Sequence, residues 1–234
     1  MSFPATPAER NQKASRPETF TAVTGMIYAA LMSNLLLVIG CAPLVLGLVV
    51  TDPARSWPVL ALVAPLCGPA LVGVFAVMTT LGRSGPVGVL GTFAAAWRAS
   101  FRRATGVCAL ATLALVVLSV DVAWAWGRTI GAAAIPVLVT LMVLAVATAL
   151  LTLVVLAERP TVRLRDAVRA SLYLGVRRWY LTALSLAVLL LLVQVVVQKP
   201  ALGLGLVATP LLYVVWAGSR YSLRPALDAG GPVV

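Results

Sequence analysis

Six uninterrupted apolar runs, each long enough to cross a lipid bilayer, constrain this chain more than any other feature. They cover residues 26–50, 57–80, 107–126, 130–157, 181–197 and 201–218. A helix rises 1.5 Å per residue, so about twenty apolar residues span the roughly 30 Å of hydrocarbon in a membrane. The composition agrees, because 61% of the 234 residues are hydrophobic, against roughly 45–50% in a soluble domain. We therefore predict an all-α, polytopic membrane protein with six transmembrane helices.

The loops between the runs predict how these helices pair. Three of them are very short and lie at residues 51–56, 127–129 and 198–200. Short loops join neighbouring antiparallel helices, so three hairpins are expected. A tail precedes the membrane domain of residues 26–218 and another follows it, at residues 1–25 and 219–234.

The distribution of positive charge predicts the orientation of the chain. All lysines and arginines except Arg55, Arg128 and Lys199 fall on the side of the two tails. Lys and Arg collect beside the spans on the cytoplasmic side of a membrane. Both termini are therefore predicted to be cytoplasmic, in a multi-pass protein of the cell membrane.

Two long basic loops contain segments with one apolar face. In residues 87–103 and 162–178, apolar side chains recur at every fourth position and an arginine pair ends the stripe. This spacing places the apolar side chains on one face of a helix. We predict two cytoplasmic amphipathic helices that contact the anionic inner leaflet or a protein partner, although positive-inside topology alone would also place arginines here. The candidate contact residues are Phe93, Trp97, Phe101, Arg102, Arg103, Leu172, Arg177 and Arg178.

A few polar residues and prolines interrupt the spans. Asp121 is the one acidic residue within a span, and intramembrane acids commonly have functional roles; a local ion pair with Arg128 is the alternative reading. Asn34 and Gln194 can form hydrogen bonds between helices. Kinks are predicted at the prolines of the spans, most strongly between Pro65 and Pro69. The other prolines within spans are Pro43, Pro136 and Pro210.

Several functional classes are excluded or disfavoured by the residues available. The chain has no histidine, which removes imidazole-based catalysis and most imidazole metal sites. Its cysteines, Cys41, Cys67 and Cys108, lie in apolar runs without metal-ligand spacing, and are predicted to be core residues. We predict no catalytic, cofactor or metal site, no enzyme activity and no nucleic-acid partner. The oligomeric state does not follow from the sequence.

Short motifs along residues 25–225 resemble the YesL family, bacterial membrane proteins grouped under a domain of unknown function. One departure is Leu44-Val45-Leu46, where that family usually has a Thr-x-Gly turn. The resemblance implies a bacterial cell membrane and a role alongside carbohydrate uptake, with subunits of a sugar ABC-type transporter as partners. The motifs are Asn34-Leu35-Leu36, Pro43, Gly68-Pro69-Ala70-Leu71, Phe93, the run from Trp97 to Arg103, Asp121, Arg169-Ala170-Ser171-Leu172, Arg177-Arg178 and Ser219-Arg220-Tyr221.

Two functions remain open from the sequence. The first is an accessory membrane component of a carbohydrate uptake system, favoured by the lack of a catalytic set. The second is an autonomous small-solute transporter or channel that uses Asp121 and the proline-broken second helix.

Overall fold

All secondary structure in the described part of the chain is helical. The computed structural model describes residues 7–84, 88–129, 131–177, 179–198, 203 and 207–228. In chain order the helices are α1 (Pro7–Gly40), α2 (Ala42–Val50), α3 (Pro53–Val63), a 3₁₀ turn (Ala64–Cys67), α4 (Gly68–Ser84), α5 (Val89–Ala125), α6 (Gly131–Glu158), α7 (Leu164–Arg177), α8 (Trp179–Gln198) and α9 (Ala208–Asp228).

Membrane-spanning helices are present, and the described residues contain three or four of them. Three continuous helical stretches are long and apolar enough to cross a bilayer: Arg55–Arg83, Val89–Ala125 and Ala133–Glu158. A fourth span results if Thr24–Gly40 and Ala42–Val50, which meet at an angle of 69°, are counted together. Of the other two predicted spans, the fifth contains a shorter apolar helix, and residues 201–218 lie partly outside the described residues.

Kinks were predicted at the prolines of the spans, and the structure shows breaks at two of these places but not at Pro136 or Pro210. α1 ends at Gly40 and α2 begins at Ala42, so that Pro43 lies in the first turn of α2, where the missing N–H costs nothing. The run from Pro65 to Pro69 produces the 3₁₀ turn between α3 and α4. Pro136 lies inside the continuous helix α6. Pro210 causes no kink, because α9 begins at Ala208 and Pro210 therefore occupies its first turn.

The first amphipathic segment is not a separate helix. The predicted segment of residues 87–103 and the third span form the single helix α5, which contains 37 residues and is therefore about 55 Å long. The junction carries Gly106 but no proline, and one glycine costs a helix only about 1 kcal/mol relative to alanine. α5 therefore crosses the hydrocarbon and also extends well beyond it.

The second amphipathic segment is a helix of its own. It corresponds to α7, whereas the following span is α8. The Thr182 hydroxyl donates a hydrogen bond to the Gly175 carbonyl, seven residues earlier, at 3.1 Å. In a straight helix a threonine hydroxyl reaches the carbonyl four residues back, so the chain bends between α7 and α8.

Both predicted tails contain helix. α1 begins at Pro7, and the residues that follow it include good helix formers such as alanine, glutamate and lysine. At the other end, α9 continues to Asp228, beyond the predicted span limit at residue 218. This extension carries Arg220, which contacts residues of two other helices.

Helix α4 forms the centre of the bundle and contacts α1, α5, α6 and α9. Phe75 is completely buried on α4. Gly73 permits the close approach of α5, because a Cβ atom at this position would lie only 2.6 Å from the ring of Phe93. A Cβ at Gly40 would lie 2.6 Å from the Cβ of Ala70, so α1 approaches α4 equally closely.

Candidate functional site

A buried carboxylate joins three helices at one end of the bundle. Glu158 is the last residue of α6, and its side chain has 0% exposure. Arg83 of α4 donates from Nη2 to Glu158 Oε2 at 2.6 Å. Arg220 of α9 lies on the other side, with Nε 3.5 Å from Oε1. The three charged side chains are called the α4–α6–α9 charge cluster below.

Neutral residues complete the surroundings of this cluster. The Thr79 hydroxyl is 3.1 Å from Glu158 Oε1 and 2.9 Å from the Phe75 carbonyl, so it can donate to either. The guanidinium of Arg220 lies 5.2 Å from the centre of the Trp216 ring, which is within the range of a cation–π contact. Glu158 is thus held in place by partners on α4 and α9.

The charge cluster also shows which ends of α4 and α6 lie on the same side of the bundle. Arg83 and Glu158 end the two apolar stretches Arg55–Arg83 and Ala133–Glu158, and their side chains are in contact. α4 and α6 therefore end on the same side of the bundle. This side is the one that the distribution of arginines predicts to be cytoplasmic.

The balance of charge determines what the cluster can do chemically. Two guanidinium groups face one carboxylate, which leaves an excess of one positive charge. The cluster contains no imidazole, since the chain has no histidine. An arrangement of this kind can bind an anion or stabilise the helix packing.

Four buried polar atoms have no hydrogen-bond partner in the described part of the chain. Two of them, Trp216 Nε1 and Ser219 Oγ, lie on α9 within one turn of Arg220. The others are Ser171 Oγ on α7 and Thr105 Oγ1 on α5. Buried polar atoms without a partner are uncommon in folded proteins.

Asn34 forms a second buried polar contact between helices. Its Oδ1 accepts hydrogen bonds from the backbone N–H and the hydroxyl of Thr209, at 2.8 and 2.5 Å. Thr209 lies in the first turn of α9, where backbone N–H groups have no partner within the helix. Asn34 on α1 therefore caps the start of α9 from another helix, as a polar residue between membrane helices can do.

Asp121 and Gln194 lie on exposed surfaces rather than inside the bundle. Asp121 is on the exposed side of α5, and the described residues provide it with no ion pair. The predicted alternative partner, Arg128, instead lies over the Trp124 ring at 3.7 Å. Gln194 is on the exposed side of α8.

The predicted contact residues of the first amphipathic segment divide between the interior and the surface. Phe93 is buried against α4, and Trp97 packs at the edge of the core, with its ring 5.0 Å from that of Phe101. Arg103 donates to the Pro160 carbonyl at 2.7 Å, which ties α5 to the loop after α6. Arg102 is exposed. The aromatic face is thus used largely for packing within the protein.

In the second amphipathic segment, the predicted contact residues that the structure describes lie on the surface, and the buried residues are different ones. Leu172 is 42% exposed, and Arg177 is also exposed. Among the described side chains of α7 the buried residues are small: Ala167, Ala170, Ser171 and Gly175. Arg178 lies outside the described residues.

The three cysteines, distant in sequence, are close together in space. Cys41 lies beside Cys67, and Cys108 also lies near Cys67. All three thiols are free. Within the described residues, no group of three His, Cys, Asp or Glu side chains is arranged to hold a metal ion.

Glu158 was missed by reasoning from the sequence. It follows directly after an apolar run and directly before Arg159 in a loop rich in arginine, so it resembles an ordinary solvated residue. The available signal was that Arg83 and Glu158 end two different apolar runs on the same predicted side of the membrane. Nothing in the sequence indicated that Arg220 would lie beside them.

Part of the chain is similar to a known protein family. Residues 22–122 match the family model described as "Protein of unknown function, DUF624". No curated protein and no solved structure matches the chain. The matched stretch extends from α1 to near the end of α5, and therefore includes Arg83 but neither Glu158 nor Arg220. Over these residues the chain is similar to a domain family of unknown function.

Proposed function

We propose that this chain is a non-enzymatic accessory component of a carbohydrate uptake system of the ABC type in a bacterial cell membrane. In this proposal the chain is YesL-like and has six spans in three hairpins, with both termini in the cytoplasm. The observation that carries the proposal is the exposed face of the second half of α5, beyond Val107, together with Asp121 in the same half.

The exposed side of this half of α5 has the spacing of a helix-packing stripe. Leu110, Leu113, Val117, Val120 and Trp124 are at least half exposed, and they follow one another at intervals of three and four residues. This spacing places them along one face, as in helix pairs that interdigitate. Lipid alone would satisfy such a face.

Asp121 makes a protein neighbour the better explanation of this face. It lies four residues after Val117 and three before Trp124, and hence on the same side of α5. A carboxylate costs roughly 2.5–3.5 kcal/mol at the centre of a spanning helix, and less near the interface. A transmembrane helix of a permease subunit that carries an arginine, lysine or other donor at this depth would remove this cost.

Affinity purification tests the proposal directly. The tagged protein would be extracted from its native membranes in mild detergent, and the associated proteins would be identified by mass spectrometry. We expect permease or ATPase subunits of a sugar transporter, and at least about a tenfold lower recovery with Asp121→Asn, the change expected when a charged contact of 1.5–3 kcal/mol is lost. Gln194→Ala, at an exposed polar position on α8, is the matched control and should leave recovery unchanged.

The opposite result would have a clear meaning. If the wild-type protein is recovered without transport subunits, and if its deletion leaves sugar uptake unchanged, the accessory function is wrong.

An autonomous small-solute transporter is the second candidate. It is favoured by two helix breaks, between α1 and α2 and at the 3₁₀ turn, which meet through Cys41 and Cys67. Broken helices line the substrate sites of many transporters. Solute flux in proteoliposomes that contain only this protein would support this candidate, and flux that is unchanged in Asp121→Asn would remove Asp121 from its mechanism.

A further inference from the structure

The two arginines of the charge cluster retain donors that Glu158 does not use. A guanidinium carries several N–H donors in a planar fork that matches carboxylate and phosphate groups. The contacts with Glu158 involve Nη2 of Arg83 and Nε of Arg220. The side chains of Arg83 and Arg220 are 54% and 36% exposed, whereas Glu158 is completely buried. The Glu158 carboxylate therefore lies beneath the two guanidinium groups, which reach the protein surface.

The surroundings hold both guanidinium groups in position. Arg83 is fixed by its short contact with Glu158, and Arg220 lies against the ring of Trp216. α9 lies close to α4 here, because a Cβ at Gly82 would lie at ordinary van der Waals distances of 3.7 Å from Trp216 and 3.9 Å from Nη1 of Arg220. Preorganised donors bind more tightly than mobile ones, because less conformational entropy is lost on binding.

The depth of the cluster in the membrane indicates which anions it meets. Arg83 and Glu158 end two spans, so the cluster lies at the boundary between the hydrocarbon and the headgroups. Basic pockets between spans on the cytoplasmic side commonly bind phosphate-containing headgroups. The cluster also carries one excess positive charge, which a bound anion would balance.

We propose that Arg83 and Arg220 form a binding site for a phosphate group, with Glu158 as the internal anion that positions both guanidinium groups. The phosphate could belong to an anionic phospholipid or to a free phosphorylated solute, and the test separates these sources. This site is distinct from the α5 face on which the accessory function rests, so either proposal can fail alone.

Thermal unfolding of the full-length protein in nanodiscs tests the site. We would compare discs of phosphatidylcholine alone, discs that also contain phosphatidylglycerol, and phosphatidylcholine discs with inorganic phosphate at matched ionic strength. A higher midpoint with phosphatidylglycerol identifies a lipid headgroup, and a higher midpoint with inorganic phosphate identifies a free anion. A wild-type protein that responds to neither would overturn the proposal.

Two arginine variants separate this site from the general basic surface. Arg220→Gln leaves the 2.6 Å contact between Arg83 and Glu158 intact, so it should fold, which circular dichroism and size-exclusion chromatography would verify. Its apparent affinity for the phosphate ligand should fall about tenfold, the loss expected for one charge-assisted contact. Arg98→Gln, at an exposed position on α5, should retain the wild-type affinity; an equal loss in both variants would contradict the proposal.

A third variant separates ligand binding from a purely structural ion pair. Glu158→Gln keeps the size of the side chain and an amide oxygen that can still accept hydrogen bonds from the guanidinium groups and hold them in position, but it removes the internal negative charge. If the arginines form a phosphate site, this variant should bind phosphate more tightly than the wild type does, because the competing anion is lost. If it is less stable and its phosphate affinity is unchanged or weaker, the cluster is structural and the proposal is wrong.

Discussion

The two halves of α5 differ in what they contact. In the first half, Val89, Phe93, Ser100, Ala104 and Val107 are buried along one face. Beyond Val107, Ala125 is the next residue of α5 that is buried among those described. The half predicted to lie on lipid or on a partner thus packs in the protein core, and the more apolar half is exposed or only partly buried.

This difference shows how little hydropathy says about burial in a membrane protein. Lipid is as apolar as leucine, so an exposed leucine in a span costs nothing and an apolar run can face either way. The amphipathic half extends beyond the hydrocarbon, where its apolar face gains from burial away from water. Packing against α4 provides this burial, and substitutions at seven positions test the comparison.

The largest expected effect comes from truncating Phe93. Its ring packs against Gly73, so Phe93→Ala should lower the free energy of unfolding by about 3–5 kcal/mol, through lost contacts and a cavity. The measurement is chemical denaturation in detergent micelles. Leu113→Ala, in the exposed half, is the control and should change stability by less than about 0.5 kcal/mol. Similar losses in both variants would contradict the comparison.

Adding a methyl group at each of two glycines should change stability in opposite directions. Gly40→Ala should destabilise the protein by about 1–3 kcal/mol, because the new Cβ would lie 2.6 Å from the Cβ of Ala70, which cannot move aside. Gly106→Ala adds a methyl group on α5 where no atom lies within 4 Å, and it should stabilise the helix by up to about 1 kcal/mol. The difference in thermal midpoint between the two variants gives the result. A destabilised Gly106→Ala would indicate a neighbour on this side of α5.

The arginine pair at positions 102 and 103 gives a smaller effect. Arg103→Ala removes the 2.7 Å hydrogen bond to the Pro160 carbonyl and should cost about 0.5–1 kcal/mol, since the contact is exposed. Arg102→Ala is the matched neighbour, and its side chain is also exposed. Denaturation of both variants under the same conditions measures the difference. Equal stabilities would show that the contact contributes nothing.

The smallest effect on stability is expected at Asp121. Asp121→Asn should change the unfolding free energy of the isolated protein by less than about 0.5 kcal/mol, because Asp121 is exposed and is given no ion pair by the described residues. Its effect should appear instead in the recovery of partners. A large loss of stability in the isolated protein would place Asp121 in an internal contact and would weaken the accessory function.

Several elements followed from local sequence. The break near Pro43 and the 3₁₀ turn at residues 64–67 were predicted from prolines, which remove backbone hydrogen bonds wherever they occur. The short turn after α5 contains Gly127 with φ of 77°, a conformation that glycine adopts readily at a helix end. Such features depend on neighbouring residues, and a single sequence contains them in full.

The charge cluster shows where inference from neighbouring residues fails. Asp121 was favoured because an acid within an apolar run is conspicuous, whereas Glu158 at the end of a run is not. Tertiary structure reverses their environments, since Glu158 is completely buried and Asp121 is exposed. The residues on either side of Glu158 could not indicate this, because its partners come from α4 and α9.

The sequence alone determined that this protein is helical, that it has membrane-spanning segments, and where prolines interrupt two of them. Hydropathy and backbone chemistry act over one or two helical turns, so they can be read directly from the chain. Only the tertiary structure decided which face of α5 is buried, that Asn34 caps α9, and that Arg83, Glu158 and Arg220 meet. The contacts of Asn34 and of the charge cluster join residues 62 to 175 positions apart, and all three features depend on how closely packed helices align, which hydropathy does not specify.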